Sequence, residues 1–137
     1  EIFSKIRVIV FEGKVLLVGT VKNNEARETA NSLAWKVSNV KEVANYIEIG
    51  KENVIDYLKD TRISLEFKAK LLTDKEVSEV NYSSTTENRV LYIIGVSQSE
   101  KEIEIVLSHA SSVAGVKKIV NLVIDKNSPE RKKYLND

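Results

Sequence analysis

The sequence predicts an α+β protein made of two tandem copies of one small unit, each with the element order α-β-β-α-β, the first copy lacking its leading helix. Three observations lead to this prediction. The two halves match without a gap when they are offset by 76 positions, the separation of Gly19 from Gly95. Apolar, β-branched runs come in pairs around tight turns, and an amphipathic segment separates each pair from a third run. With 137 residues, 42% of them hydrophobic, the chain can bury a core without a disulfide or a metal.

The internal repeat is the strongest signal in the sequence. Identical residues occupy matched positions in strand-like and helix-like segments alike, and no insertion is needed to align them. The identical pairs include Gly19/Gly95, Glu28/Glu104, Ser32/Ser108, Ala34/Ala110, Val37/Val113, Val40/Val116, Lys41/Lys117 and Asn45/Asn121. We therefore expect the two halves to share one fold.

Each copy is predicted to begin with a β-hairpin and to end with a third strand. The predicted strands are 6–11, 14–21 and 42–49 in the first copy and 80–87, 90–97 and 118–125 in the second. The first hairpin turns at Glu12-Gly13, and the second at Asn88-Arg89. Asparagine tolerates the positive φ that glycine supplies in such a turn.

A helix is predicted between the second and third strands of each copy. Ser99 and Glu102 form a capping box in the second copy, and Asn23 or Asn24 caps the helix of the first. Helical spacing unites Ala26, Ala30, Leu33 and Val37. This stripe is expected to pack on the sheet. The residues just past the last apolar positions are Asn39 and Gly115, and both types accept the left-handed conformation of a helix terminus.

The segment between the copies predicts a helix that opens at Asp60 or Thr61 and ends near Leu72. This helix would be the leading helix of the second copy. The predicted organisation is a first domain at 1–50, a second domain at 51–127 and a polar, frayed tail at 128–137.

The first copy has only five residues, 1–5, ahead of its first strand. We infer that the leading helix of this copy lies outside the chain. Both faces of the first hairpin are apolar, so an exposed patch is expected there, with Ile9 and Phe11 as candidate interface residues.

The helix between the copies carries two apolar stripes on nearly opposite sides. One stripe, Ile63, Phe67 and Leu71, is expected to face the sheet of the second copy. The second stripe consists of Arg62, Leu65, Ala69 and Leu72, with Lys68 and Lys70 beside it. A helix that covers one small sheet needs only one stripe. The second stripe must therefore meet the first copy, another chain or an anionic lipid surface.

The predicted fold does not by itself assign a role to Trp35 or His109. Trp35 lies on the side of its helix opposite the core stripe, which favours either packing between domains or an anchor for a membrane or a partner. His109 takes the place of Leu33 in the repeat. Because no Ser, Asp or Glu partner follows from its spacing, it is interpreted as a structural, partly buried side chain.

Composition excludes several classes of function. The chain has no Cys and one His, so thiolate catalysis, redox dithiols and His-rich or Cys-type metal centres are excluded. The net charge of +1 provides no global attraction for nucleic acid. Walker, GxGxxG, GxSxG and HExxH motifs are missing. The sequence therefore predicts a non-enzymatic protein with no cofactor, no metal, no catalytic residue and no nucleic-acid partner.

The repeated unit, with its signatures Gly13–Gly19 and Val113–Val120, resembles the BON family, named for bacterial osmotically induced and nodulation proteins. The tandem arrangement is similar to that of the dual-BON outer-membrane lipoproteins of Gram-negative bacteria. The resemblance implies a periplasmic protein that binds anionic phospholipid and supports envelope integrity and stress response. It places the lipid surface on residues 61–73, the helix that carries the second apolar stripe. An envelope protein or a second copy of the chain is the alternative partner.

The sequence departs from the family at one consequential position. Arg62 stands where the family usually carries Trp, so that a cation replaces an interfacial aromatic ring. The resemblance also implies an N-terminal lipid that anchors the protein to the inner leaflet of the outer membrane. No lipidated Cys is present, so this anchor is expected upstream of Glu1 or is absent.

Overall fold

The structure is a computed structural model that describes the backbone of residues 6–51 and 54–136. It divides into two compact units, unit 1 from Glu1 to Asn53 and unit 2 from Val54 to Asp137. Each unit contains one three-stranded sheet. The predicted α+β class is confirmed.

Unit 1 has a hairpin, a helix and a third strand. Its elements are β1 (Ile6–Phe11), β2 (Lys14–Val21), α1 (Asn24–Trp35) and β3 (Glu42–Ile49). The strand order is β1-β2-β3, with β1 antiparallel to β2 and β3 parallel to it. The parallel pairing follows from the crossover through α1.

Unit 2 repeats this arrangement and adds a helix at each end. Its elements are α2 (Val54–Leu72), a 3₁₀ turn (Glu79–Asn81), β4 (Tyr82–Glu87), β5 (Val90–Ser97), α3 (Glu100–Ser112), β6 (Lys118–Asp125) and α4 (Pro129–Asn136). The sheet order β4-β5-β6 has the same strand directions as the sheet of unit 1. The predicted strands are confirmed at every end except one, because β4 begins at Tyr82 rather than at residue 80.

The repeat extends to individual hydrogen bonds. The amide of Lys41 donates to the carbonyl of Gly13 at 2.7 Å, and the amide of Lys117 donates to that of Arg89 at 2.8 Å. Asn45 Oδ1 accepts from the amide two residues later at 3.0 Å, and so does Asn121 Oδ1 at 2.9 Å. Each hydrogen bond of unit 1 thus has a counterpart in unit 2 at the positions 76 residues later.

The hairpin turns and helix ends also match the sequence prediction. Positive φ values occur at Glu12, Gly13, Asn88 and Arg89 in the two turns and at Asn39 and Gly115 after the helices. Asn23 caps α1 by accepting from the amide of Ala26, and Ser99 caps α3 by accepting from that of Glu102. Glu102 itself accepts from the amide of Gln98 at 3.5 Å, one residue before the expected partner.

One face of each sheet packs against helices. The core of unit 1 consists of Val15, Leu17, Val21, Ala26, Ala30, Ala34 and Ile47. The core of unit 2 is larger and includes Ile63, Phe67, Leu71, Val77, Tyr82, Leu91, Ile93, Val106, Ala110, Val113 and Val123. Two helices, α2 and α3, contribute to unit 2, whereas α1 alone contributes to the described part of unit 1. Leu33 and Val37, expected in the core stripe of α1, are instead exposed.

Two predictions about the ends of unit 2 were wrong. Helix α2 begins at Val54, well before Asp60 and Thr61, so neither residue is its N-cap. The polar tail forms helix α4 rather than a frayed end. Ser128 accepts from the amide of Arg131, and Arg131 donates to the carbonyl of Lys126. These bonds begin the helix and tie it to the end of β6.

We predict that Gly95→Ala destabilises the protein by about 3 kcal/mol, because overpacking that displaces backbone is costly. A Cβ at Gly95 would lie 2.2 Å from the carbonyl oxygen of Asn81 and 3.0 Å from Cα of Tyr82. Gly50→Ala is the control, since its Cβ would meet only Thr20 Cγ2 at 3.7 Å. Urea denaturation followed by circular dichroism measures both. Equal midpoints for the two variants would contradict the prediction.

Candidate functional site

Helix α2 exposes a continuous apolar row to solvent. Leu58, Leu65 and Leu72 are 62%, 65% and 61% exposed and follow one another at seven-residue intervals. Ile55, Arg62 and Ala69 lie beside them and are also exposed. We call these residues the α2 stripe: Ile55, Leu58, Arg62, Leu65, Ala69 and Leu72. Ile55 and Leu58 were missed by the sequence analysis because the start of the helix was placed too late.

The opposite side of α2 is buried against the sheet of unit 2. Ile63 and Phe67 are completely buried, and Leu71 is nearly so. The two-sided pattern predicted for this helix is therefore present. Leu65, Ala69 and Leu72 remain outside the core of unit 2, and the surplus apolar surface needs another explanation.

Asp60 fixes the position of α2 on the sheet. Its Oδ2 accepts from the amide of Asn88 at 2.8 Å, and its Oδ1 accepts from the amide of Arg89 at 2.7 Å. Both residues have positive φ, so successive amides of the hairpin turn point to one side and form an anion-binding concavity. The carboxylate is almost entirely buried. Asp60 is therefore a clamp between α2 and the β4–β5 turn rather than a cap.

Arg62 is less available as a cation than the sequence suggested. Its Nη1 is 2.9 Å from Glu66 Oε1, and its Nη2 donates to the carbonyl of Ala114 just beyond α3. Its charge is thus partly compensated along the helix. The basic character beside the stripe comes from Lys59 and Lys68, which are exposed, with Lys70 half-buried. Tyr57, half exposed, adds an aromatic ring near the N-terminal end.

A histidine–aspartate pair joins the end of α2 to α3. His109 Nε2 lies 2.7 Å from Asp74 Oδ2. The hydrogen bond with His109, together with a bond from the amide of Glu76, holds the pKa of Asp74 below its ordinary value. The sequence analysis missed this partner because the two residues are 35 positions apart. The pair links two helices, in agreement with the structural interpretation of His109.

A second polar pair lies inside unit 2. The Tyr82 hydroxyl donates to Glu102 Oε1, and both side chains are buried. Burial and the adjacent carboxylate raise the pKa of Tyr82 above its ordinary value. Among the described residues, no group of three or more His, Cys, Asp or Glu side chains could hold a metal ion.

Unit 1 contains an open apolar groove of about 390 Å³ between β1 and the end of α1. Its edge is formed by Val8 and Val10, which are 58% and 63% exposed, together with the exposed Leu33 and Val37. Its floor includes Val15, Leu17, Ala30 and Ala34. We call this surface the unit 1 groove.

The predicted interface residues of unit 1 lie outside this groove. Ile9 and Phe11 are half-buried and alternate along β1 with Val8 and Val10, so they lie on the other face of the sheet. The exposed residues of β1 are therefore Val8 and Val10, rather than the pair that the sequence analysis selected. Trp35, at the C-terminal end of α1, is half exposed and lies outside the core of unit 1.

Among the described helices, none is both long enough and apolar enough to span a bilayer. The α2 stripe is the exposed apolar face of a helix whose opposite apolar face is buried in unit 2. It is therefore a surface feature, suited to contact with an interface or with another helix.

The two repeated units define an α+β protein with an exposed helical stripe. The BON domain family matches residues 3–51 and 59–124, and the chain belongs to this family. It is 40% identical over 133 residues to a protein of Anaplasma centrale described as "Uncharacterized protein in gshII 5'region". The match covers 96% of this chain and 88% of that protein.

Two further relatives have names that refer to a cellular location or an activity. Outer membrane lipoprotein DolP of Haemophilus influenzae is 29% identical over 121 residues, and the 21 kDa hemolysin of Actinobacillus pleuropneumoniae is 31% identical over 121 residues. The matches cover 87% and 88% of this chain but 62% of each relative. A solved structure of CdsD, a structural protein of the type III secretion system of Chlamydia trachomatis, has 16% identity and a TM-score of 0.44, and the match covers 98% of this chain and 60% of CdsD.

We predict that Asp60→Ala lowers the free energy of unfolding of unit 2 by about 1–3 kcal/mol, because two turn amides lose their buried acceptor. Thr61→Ala is the matched control. The Thr61 side chain is exposed, and its hydroxyl donates to the carbonyl of Tyr57 in the same helix. Its change is expected within about 0.5 kcal/mol. Chemical denaturation of both variants measures the difference. An unchanged midpoint for Asp60→Ala would refute the clamp.

Proposed function

We propose that this protein is a non-enzymatic component of the bacterial cell envelope that binds the surface of anionic phospholipid membranes through the α2 stripe. The observation that carries the proposal is the row of exposed leucines on a helix whose opposite side is already buried. Ile63, Phe67 and Leu71 already cover the sheet of unit 2. The exposed leucines on the other side of the helix can therefore contact the apolar part of a membrane.

The geometry suits a helix that lies in the plane of the membrane. From Ile55 to Leu72 the stripe extends for roughly 26 Å at about 1.5 Å per residue. Four large apolar side chains along it are each about three-fifths exposed. Their transfer into the acyl boundary contributes on the order of 4–6 kcal/mol before the cost of orienting the protein. This is enough for reversible association.

The charge beside the stripe favours anionic lipid. Lys59 and Lys68 are exposed on either side of the leucine row, and each basic residue near such a surface contributes about 1 kcal/mol. Arg62 adds little while it remains paired with Glu66. The exposed ring of Tyr57 supplies an amphipathic aromatic on the same helix, in place of the family Trp that Arg62 replaces.

The relatives support an envelope location. One is named an outer membrane lipoprotein, and this chain matches most of its own length to it. We propose a location in the periplasm, at the inner leaflet of the outer membrane, and a role in outer-membrane integrity. An N-terminal lipid anchor outside the given residues is part of this proposal.

Leu65→Glu is expected to abolish co-sedimentation with vesicles that contain phosphatidylglycerol. The variant places a charge in the middle of the apolar row, where insertion is most sensitive. Val80→Glu is the control, because Val80 is even more exposed than Leu65 but lies in the 3₁₀ turn rather than on α2. Negligible binding of the wild-type protein to anionic and neutral vesicles alike would refute the proposal.

Charge reversal at Lys68 provides a separate test of lipid selectivity. Lys68→Glu changes two units of charge, worth about 2 kcal/mol at ~1 kcal/mol each, and should weaken binding to anionic vesicles by roughly thirtyfold. Binding to neutral phosphatidylcholine vesicles should not fall. Wild-type binding should also weaken as salt is raised. Equal loss on both lipids would show that the lysine does not act through charge.

A self-assembly or protein-interaction module is the second candidate function. The residues of the α2 stripe alternate at intervals of three and four, the a and d spacing of a coiled coil. Helix pairing through this stripe, with Trp35 as a further contact, would bury the same leucines. Light scattering at several concentrations distinguishes the two functions. A dimer that Leu65→Glu dissociates supports assembly, whereas a constant monomer mass together with lost vesicle binding supports lipid.

A further inference from the structure

One end of the unit 2 sheet carries three exposed basic side chains. Arg89 lies in the β4–β5 turn, and Lys117 and Lys118 lie at the start of β6. The amide of Lys117 donates to the carbonyl of Arg89 at 2.8 Å, so the turn and the start of β6 are side by side. We call Arg89, Lys117 and Lys118 the basic cluster.

The matched end of unit 1 has no excess of positive charge. With the offset of 76, residues 12–14, 41 and 42 of unit 1 correspond to residues 88–90, 117 and 118 of unit 2. The charged residues of the unit 1 set are two acids and two bases, Glu12, Lys14, Lys41 and Glu42. Lys14 Nζ lies 3.8 Å from Glu42 Oε1. The unit 2 set contains three bases and no acid. Since unit 1 builds the same sheet and turn without this charge, the fold does not require it.

Arg89 also has a backbone conformation that disfavours arginine. Its φ is 63°, in the left-handed region that glycine adopts freely and that most other residues avoid. Gly13 occupies the matched position of unit 1, with φ of 82°, so the turn is compatible with glycine. An arginine in such a conformation indicates a role for its side chain rather than for the turn.

The carboxylates closest to the basic cluster along the chain and across the turn are buried. Asp60 is almost entirely buried and accepts from two amides of the turn. Glu87, at the end of β4, is buried as well. Within the described part of the chain, no carboxylate forms an ion pair with a residue of the basic cluster. The charge that this end of unit 2 presents to solvent is therefore positive.

The start of α2 extends past the same end of the sheet. Asp60 binds the β4–β5 turn, and Ser64 Oγ lies 2.7 Å from Thr86 Oγ1 of β4, so α2 runs from the turn back along β4. The residues before Asp60 consequently have no strand of unit 2 beneath them. Three large side chains are exposed there: Ile55, Tyr57 and Leu58. Exposed apolar side chains and the basic cluster thus occur together at one end of unit 2.

This combination fits the surface of an anionic phospholipid membrane. Apolar side chains enter the boundary of the acyl region, and long basic side chains reach the phosphates just outside it. A guanidinium such as that of Arg89 can bind two oxygens of one phosphate, whereas a lysine acts as a point charge. Charges within a Debye length of the surface, about 8 Å at physiological salt, also add to the attraction.

We propose that the basic cluster binds the phosphate groups of anionic phospholipids beside the N-terminal half of the α2 stripe. The inference rests on the proposed function, because the stripe supplies the apolar part of the same contact. It adds residues of the β4–β5 turn and of β6 to the lysines of α2 as determinants of lipid selectivity.

The experiment compares vesicle co-sedimentation of the intact 137-residue chain with that of a triple variant, Arg89→Asn, Lys117→Gln and Lys118→Gln. Asparagine tolerates positive φ, so the turn is kept. The variant should bind phosphatidylglycerol vesicles at least about tenfold more weakly, since each basic residue near such a surface contributes. Its binding should depend less on salt than that of the wild type. Binding to neutral phosphatidylcholine vesicles should not fall.

A second triple variant removes the same charge from the opposite end of unit 2. Lys101, Lys126 and Lys132 are exposed and lie at the start of α3, just after β6 and in α4. Their combined replacement by Gln should leave binding to anionic vesicles within about threefold of the wild type, because these positions are far from the start of α2 along the sheet. Circular dichroism and urea midpoints should show both triple variants folded, since all six positions are exposed.

Four results would overturn the proposal. The first is binding of the basic-cluster variant to anionic vesicles like that of the wild type, and the second is an equal loss in both triple variants. The third is release of the wild-type chain from vesicles by inorganic phosphate at constant ionic strength, which would assign the cluster to free phosphate. The fourth is tighter binding of a DNA duplex than of vesicles at the same salt, lost in the basic-cluster variant, which would assign it to nucleic acid.

Leu65→Glu separates this proposal from the proposed function. Loss of vesicle binding by Leu65→Glu, with wild-type binding by the basic-cluster variant, would overturn the role of the cluster and leave that of the stripe. The reverse result would overturn the role of the stripe and support the cluster as the membrane contact. Loss of binding in both variants, with the opposite-end variant unaffected, supports both.

Discussion

Each of the two three-stranded sheets needs helices to bury the apolar side chains on one of its faces. The two units differ in how completely their helices do so. Unit 2 meets this need twice, with α2 and α3 enclosing a core that contains the fully buried Phe67. In unit 1, α1 alone covers the described face, and Val8 and Val10 remain exposed beside it. The same constraint therefore produces a closed core in one repeat and an open groove in the other.

Helix α2 has one side that stabilises unit 2 and another that is exposed. Its inner side is fixed by apolar packing and by the Asp60 carboxylate, which binds two amides of the hairpin turn. These contacts fix the inner side of the helix on its sheet and leave its outer side exposed. A preformed row of leucines loses little conformational entropy when it meets a membrane or another helix. The contacts that stabilise the inner side of α2 therefore lower the entropy cost of binding through its outer leucines.

Much of the fold could be predicted because its signals are local. The hairpin turns, the Ser99 and Asn23 caps and five of the six strands depend on neighbouring residues, and the sequence repeats them at a fixed offset. The start of α2 could not be predicted in this way. Asp60 looks like an N-cap in sequence, but its carboxylate is used by a turn 28 and 29 positions away, and the helix continues through it. His109 likewise finds Asp74 only across the fold.

The sequence by itself determined the repeat, the family, five of the six strands and the two-sided character of α2. The strands and the α2 pattern follow from periodicity over a few residues, and the repeat and the family follow from residues matched between the two copies. Tertiary structure alone decided which apolar residues stay exposed. Ile9 and Val8 are adjacent and equally hydrophobic, yet alternation along β1 places them on opposite faces of the sheet. Exposure depends on what covers each face, and that is a property of distant elements rather than of the strand itself.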